Sequence, residues 1–174
     1  MRYALSIFIA ALIGPAFPAD TARPSPPFTI QRTGAPPLQL SQYRGKVVVL
    51  AFIYTSCSHC QQLTTELNPI ARDYPGKDVQ FLECAFNEDA VAALPEFLQR
   101  YAPPFPVGYS TLTAVRSYLQ YTAGDTRPLY VPHMVFLDRA GVIRADYPGE
   151  GPFFTNASAN IRAQLDKMLT APKK

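Results

Sequence analysis

Lys46-Val-Val-Val-Leu-Ala-Phe-Ile-Tyr-Thr-Ser-Cys-Ser-His-Cys60 decides the reading of this chain. Lys46 to Tyr54 is a nearly unbroken apolar run rich in β-branched side chains, the pattern of a strand buried on both faces. After Thr55 and Ser56 the period changes. Cys60, Leu63, Leu67, Ile70 and Tyr74 recur every three or four residues, which makes one face of a helix apolar. Pro69 is expected to kink that helix, and Pro75-Gly76 to end it.

Beyond it, Val79–Phe86 reads as a second strand. Residues 89–101 read as a helix with Leu94, Phe97, Leu98 and Tyr101 on one side, and residues 111–121 as another after the Pro103–Pro106 break. Met134–Asp138, a turn at Arg139-Ala-Gly141 and Val142–Asp146 form a hairpin signal, and a helix over 154–170 closes the chain. Strands that alternate with helices require a sheet covered on both faces, and the hairpin makes that sheet mixed. The expectation is an α/β sandwich.

Ahead of the strand, residues 20–37 are rich in proline and read as a semi-rigid spacer that builds no core, with Phe28–Arg32 adding an edge strand. The packed domain is placed at 38–171. Residues 1–19 read as a targeting segment: Arg2, an apolar run from Ala4 to Ile13, then small residues around Ala16 and Ala19. That run is shorter than the roughly 20 residues of a spanning helix, which favours a cleaved signal peptide over a short anchor. Export would place the three cysteines in a periplasmic or otherwise extracytoplasmic compartment where disulfides persist. Membrane contact is expected only if the segment stays uncleaved. A net charge of +3 without a basic run gives no nucleic-acid footprint.

Cys57-Ser-His-Cys60 sits where the strand turns into the helix. A spacing of three puts both sulfurs on one side of the first turn, and the unpaired N–H groups there favour a thiolate at Cys57. Cys60 continues the apolar stripe and is expected to be shielded. Cys57 is therefore the expected attacking thiol, with Cys60 resolving the mixed disulfide. An imidazolium at His59 would stabilise the reduced pair. Two blander readings remain, half a zinc site and an inert bridge. A zinc site needs two further ligands at close spacing, whereas the chain offers Cys84, His59 and His133 singly. Cys84 is expected in the core, and Glu83 and Asn87 are expected to reach solvent.

Leu40–Cys60, Phe105-Pro-Val-Gly-Tyr109 and Val131-Pro-His-Met-Val-Phe-Leu-Asp-Arg-Ala-Gly-Val-Ile143 together resemble the thioredoxin superfamily, most closely its exported TlpA/ResA-like redoxin branch. The similarity covers roughly residues 28–170. It implies a three-layer sandwich, a thiol-disulfide oxidoreductase without a cofactor, and exported protein thiols or disulfides as partners, with a separate recycling partner. It also implies a cis Val131–Pro132 peptide, with Val131 and Pro132 shaping the groove for the partner chain. His133 follows the loop proline, where two roles are open: tuning the pair, or a hydrogen bond within the loop. The departures are specific. Ser56 replaces the usual Trp, and His59 stands where this branch often has Pro. Ala51 stands where thioredoxins bury an acid beneath the second cysteine, and the branch's alternative Glu falls on Leu63. Deprotonation of Cys60 would then rely on water, Glu66 or a histidine, which leans the reading towards an oxidase or slow, specific exchange.

Two alternatives are carried. A Sco-like copper chaperone would use Cys57, Cys60 and His133, although its relatives space their cysteines by one more residue. A redoxin-type peroxidase would need Thr and Pro where this chain has Tyr54 and Leu50.

Overall fold

Val47–Ile53, buried along its whole length, is the central strand, and the other elements are arranged about it. The computed structural model describes residues 22–75 and 78–170. The targeting segment read at 1–19 lies outside them. In chain order the elements are β1 (Arg23–Pro24), β2 (Thr29–Ile30), β3 (Leu38–Gln39), β4 (Val47–Ile53), α1 (Ser58–Asp73), β5 (Val79–Ala85), α2 (Ala90–Tyr101), β6 (Val107–Tyr109), α3 (Leu112–Tyr118), β7 (His133–Leu137), β8 (Val142–Tyr147) and α4 (Ala157–Thr170). Short 3₁₀ turns at Leu40–Tyr43 and Pro152–Asn156 lead into β4 and α4. Among the described residues no helix is long and apolar enough to cross a membrane.

The main sheet runs β1-β8-β7-β4-β5-β6. β4, β5 and β6 are parallel, while β7 and β8 run antiparallel. Side chains alternate along β4: Val47, Val49, Ala51 and Ile53 face α1, α2 and α4, while Val48, Leu50 and Phe52 face α3. The mixed, doubly covered sheet is the expected three-layer sandwich. α1 continues through Pro69 as one helix, and α3 is shorter than its sequence pattern suggests, ending where Gln120 takes a positive φ of 62°.

β6 goes unread in the sequence because it is three residues long and follows a proline-rich break. The proline-rich stretch does more than space. β1 pairs with β8, and Gln31 exchanges two backbone hydrogen bonds of 2.8 Å with Tyr109 of β6, so one segment covers both sheet edges. Between the edges Phe28 and Ile30 are buried in the α3-side core, and the Phe28 ring lies edge-on to Phe52 at 5.4 Å. Gly108 permits this clasp, since a Cβ there would stand 2.2 Å from the Gln31 carbonyl oxygen.

Candidate functional site

β4 ends beneath α1, and the turn between them presents the cysteines. Asn87, at the far end of β5, pins that turn. It accepts from the Thr55 N–H at 3.0 Å and donates to the Thr55 hydroxyl at 2.8 Å. Gln61 donates to the Thr55 carbonyl from the helix side. The Cys57 N–H closes the turn on the Tyr54 carbonyl at 3.1 Å. Cys57 is the N-cap of α1, in extended backbone and half-buried. Its carbonyl accepts the Gln61 N–H.

Cys60, one turn on, is 0% exposed. Its sulfur accepts the Tyr54 N–H at 3.5 Å. Burial pushes the Cys60 thiol far up; the Tyr54 N–H works against that, and a hydrogen bond with the Cys57 thiol adds to it. The structure thus joins an accessible sulfur at a helix terminus to a shielded one behind it.

The Val131–Pro132 peptide is cis. Pro132 lines a groove of about 240 Å³ together with His59 and Leu63 of α1, Glu66, Gly149 and Phe154, and Val131 before it is half-buried. Gly149 is required there, because a Cβ would meet the Val131 carbonyl carbon at 2.8 Å and the Pro132 oxygen at 2.9 Å. His59 is exposed on the rim. Glu66 is tied to the groove wall, accepting from Gln62 and Ser158.

His133 is not brought to the cysteines. Its cross-strand neighbour is Phe52, so its ring shares the α3 face of the sheet. There Nε2 bonds Asp146 on β8, which also takes Arg23 at 2.9 Å. Burial works against the Asp146 carboxylate, but His133 and Arg23 hold it below the ordinary carboxylate range. Among the described residues no group of three His, Cys, Asp or Glu side chains is placed to hold a metal ion. Cys84 is fully buried on the α3 face, with the sheet between it and the pair, and burial drives its thiol far up.

Glu83 departs most from its reading. Instead of reaching solvent it is 0% exposed, on the α1 face between Phe81 and Ala85. Its partner across the parallel ladder is Ala51. Its Oε1 accepts from the Thr64 hydroxyl at 2.9 Å. Burial pushes the carboxyl up to about 8, with the Thr64 hydroxyl pulling the other way. One signal was available in the sequence: an acid interrupting the apolar run Phe81-Leu-Glu-Cys-Ala-Phe86 must find a partner or stay neutral. Asn87 and Thr64 carried no such signal.

Solved structures repeat this fold. A thiol:disulfide interchange protein of the thioredoxin family from Chlorobium tepidum TLS superposes with a TM-score of 0.66 at 18% identity, over 83% of this chain and 97% of that one. The thioredoxin domain of a thiol-disulfide oxidoreductase from Bacteroides vulgatus gives 0.66 at 15% identity, over 87% and 98%. A secreted Mycobacterium tuberculosis disulfide oxidoreductase homologous to E. coli DsbE gives 0.60 at 21%, over 78% and 95%. At these identities the likeness is one of fold. No curated protein matches the sequence. The Redoxin family model matches residues 18–164, most of the chain and all of the site just described, and the protein therefore belongs to the Redoxin family.

Proposed function

We propose that this chain is an extracytoplasmic thiol-disulfide oxidoreductase that exchanges the Cys57/Cys60 pair with protein thiols and disulfides. One observation carries the reading: a half-buried thiol at a helix N-terminus, hydrogen-bonded to a fully buried second thiol, on a helix whose first turns share a groove with a cis proline. In the reducing direction the Cys57 thiolate attacks a partner disulfide, and a mixed disulfide forms at Cys57. Cys60 then attacks Cys57 and releases the partner. Cys57, at the N-cap of α1, is the less buried of the two thiols, and so the attacker and the sulfur from which the partner is displaced. Val131, Pro132 and the groove beside them receive an extended partner segment, and His59 on the rim biases the couple towards its reduced form. The residues at 1–19 support export, and the secreted mycobacterial structure shares the fold.

The test is trapping in the native host. Cys60→Ser should accumulate mixed disulfides through Cys57, in the extracytoplasmic fraction, and Cys57→Ser should not. Recovery of no disulfide-linked partner with Cys60→Ser would overturn the reading.

A further inference from the structure

Four polar or charged side chains are buried among the described residues: Thr55, Thr64, Glu83 and His133. Thr55 is hydrogen-bonded in the turn, and His133 is paired with Asp146. Glu83 lacks comparable compensation. One carboxyl oxygen meets Thr64, the other has no protein hydrogen-bond partner, and none of the salt bridges among the described residues includes it. Glutamine or leucine would fill this volume without the cost of a buried ionisable group.

The surroundings link the carboxyl to the residue that carries the shielded thiol. Thr64 lies one turn after Cys60, and its hydroxyl stands 3.1 Å from the Cys60 carbonyl oxygen and 2.9 Å from Glu83 Oε1. That hydroxyl has one proton and two lone pairs. With Glu83 ionised it donates to the carboxylate. With Glu83 protonated it accepts from the acid and donates to Cys60. The contact is satisfied in both protonation states. Thr64 of α1 bonds the carboxyl, and Ala51 of β4 and Val107 of β6 flank Glu83 across the ladders; on α2, Glu96 and Arg100 are exposed. Cys57 and, after it, Glu83 act electrostatically on the Cys60 thiol.

We propose that Glu83 takes the proton of Cys60 in the resolving step and returns it in the reverse step, serving from β5 the role that Ala51 leaves empty on β4. The inference rests on the exchange reading above. The Cys60 proton passes to the Glu83 carboxylate, and the Cys60 thiolate attacks Cys57 Sγ. The Cys57–Cys60 bond forms as the Cys57–partner bond breaks. The partner sulfur leaves as a thiolate and takes a proton from solvent, and Glu83 later returns its own proton to solvent. Two electrons pass from the dithiol to the partner disulfide. In reverse, protonated Glu83 neutralises Cys60 as it leaves. A carboxyl raised to about 8 can both accept and return a proton.

The test uses the reduced full chain and dithiobis-nitrobenzoate, a disulfide whose released thiol absorbs visible light. Attack by Cys57 releases one coloured thiol, and resolution by Cys60 releases a second. In the wild type the second phase should accelerate as pH rises through about 8. Glu83→Gln should leave the first phase unchanged, slow the second roughly 100-fold near neutral pH and erase that inflection. Thr64→Val, which removes the hydroxyl that favours the carboxylate, should keep the inflection but move it to higher pH. Unchanged second-phase rates and pH profiles in both variants overturn the assignment while leaving the exchange reading intact. A single released equivalent from the wild type overturns both.

Discussion

Glu83 stands directly across the β4–β5 ladder from Ala51, and both residues face α1. The small side chain on β4 leaves room for the acid on its neighbour. Stability should record this placement. A carboxyl whose folded value lies above its unfolded value contributes no penalty while both states are protonated, below about pH 4. As pH rises towards about 8, the unfolded chain ionises first and folding loses stability. Urea unfolding of the reduced wild type should show a slope of up to roughly 1.4 kcal/mol per pH unit in this window. Glu83→Gln should flatten that slope and be the more stable protein at pH 8. Asp146 has the opposite sign, since its depressed value adds stability that is lost only in acid, below the window.

The three thiols should separate by accessibility. Iodoacetamide on the reduced native protein should label Cys57 alone, because Cys60 and Cys84 are fully buried. Cys84 should react only on the timescale of global unfolding, which denaturant will accelerate. Peptide mass spectrometry reads the order, and early labelling of Cys84 would contradict its place behind the sheet.

The N-terminal clasp should count as core. Phe28→Ala removes a ring packed on Phe52 and Tyr118, and should cost about 3–5 kcal/mol in urea unfolding. A loss below about 1 kcal/mol would show the segment to be an appendage. Because this segment covers both sheet edges, the variant should also aggregate more readily.

Gly149→Ala should damage partner exchange more than intrinsic thiol chemistry. The added methyl meets backbone atoms of Val131 and Pro132, which cannot yield as a flexible side chain would. The expected outcome is a roughly tenfold lower kcat/KM towards a protein disulfide and an unchanged first phase with dithiobis-nitrobenzoate. The stability loss should be about 1–3 kcal/mol. Equal losses in both assays would mean that the methyl disturbs the cysteine turn itself.

Much of this protein is legible in residue order because its deciding signals are local. The apolar run of β4 fixes a doubly buried strand, the change of period at Cys57 starts a helix, and the spacing to Cys60 puts one sulfur out and one in. The doubly covered sheet and the Cys84 core position follow from the same patterns. What the chain order could not show depends on partners distant in sequence. β1 and the Gln31 bridge that follows β2 are too short to read locally and gain meaning only from β8, β6 and the α3-side core. Alternation placed Glu83 opposite Cys84 correctly, yet whether that opposite face met water depended on α1 packing over it. His133 follows the loop proline in sequence, but the face of β7 it occupies turns it to Asp146 rather than to the thiols. Local pattern sets which residues share a side; only the packed layers decide what each side meets.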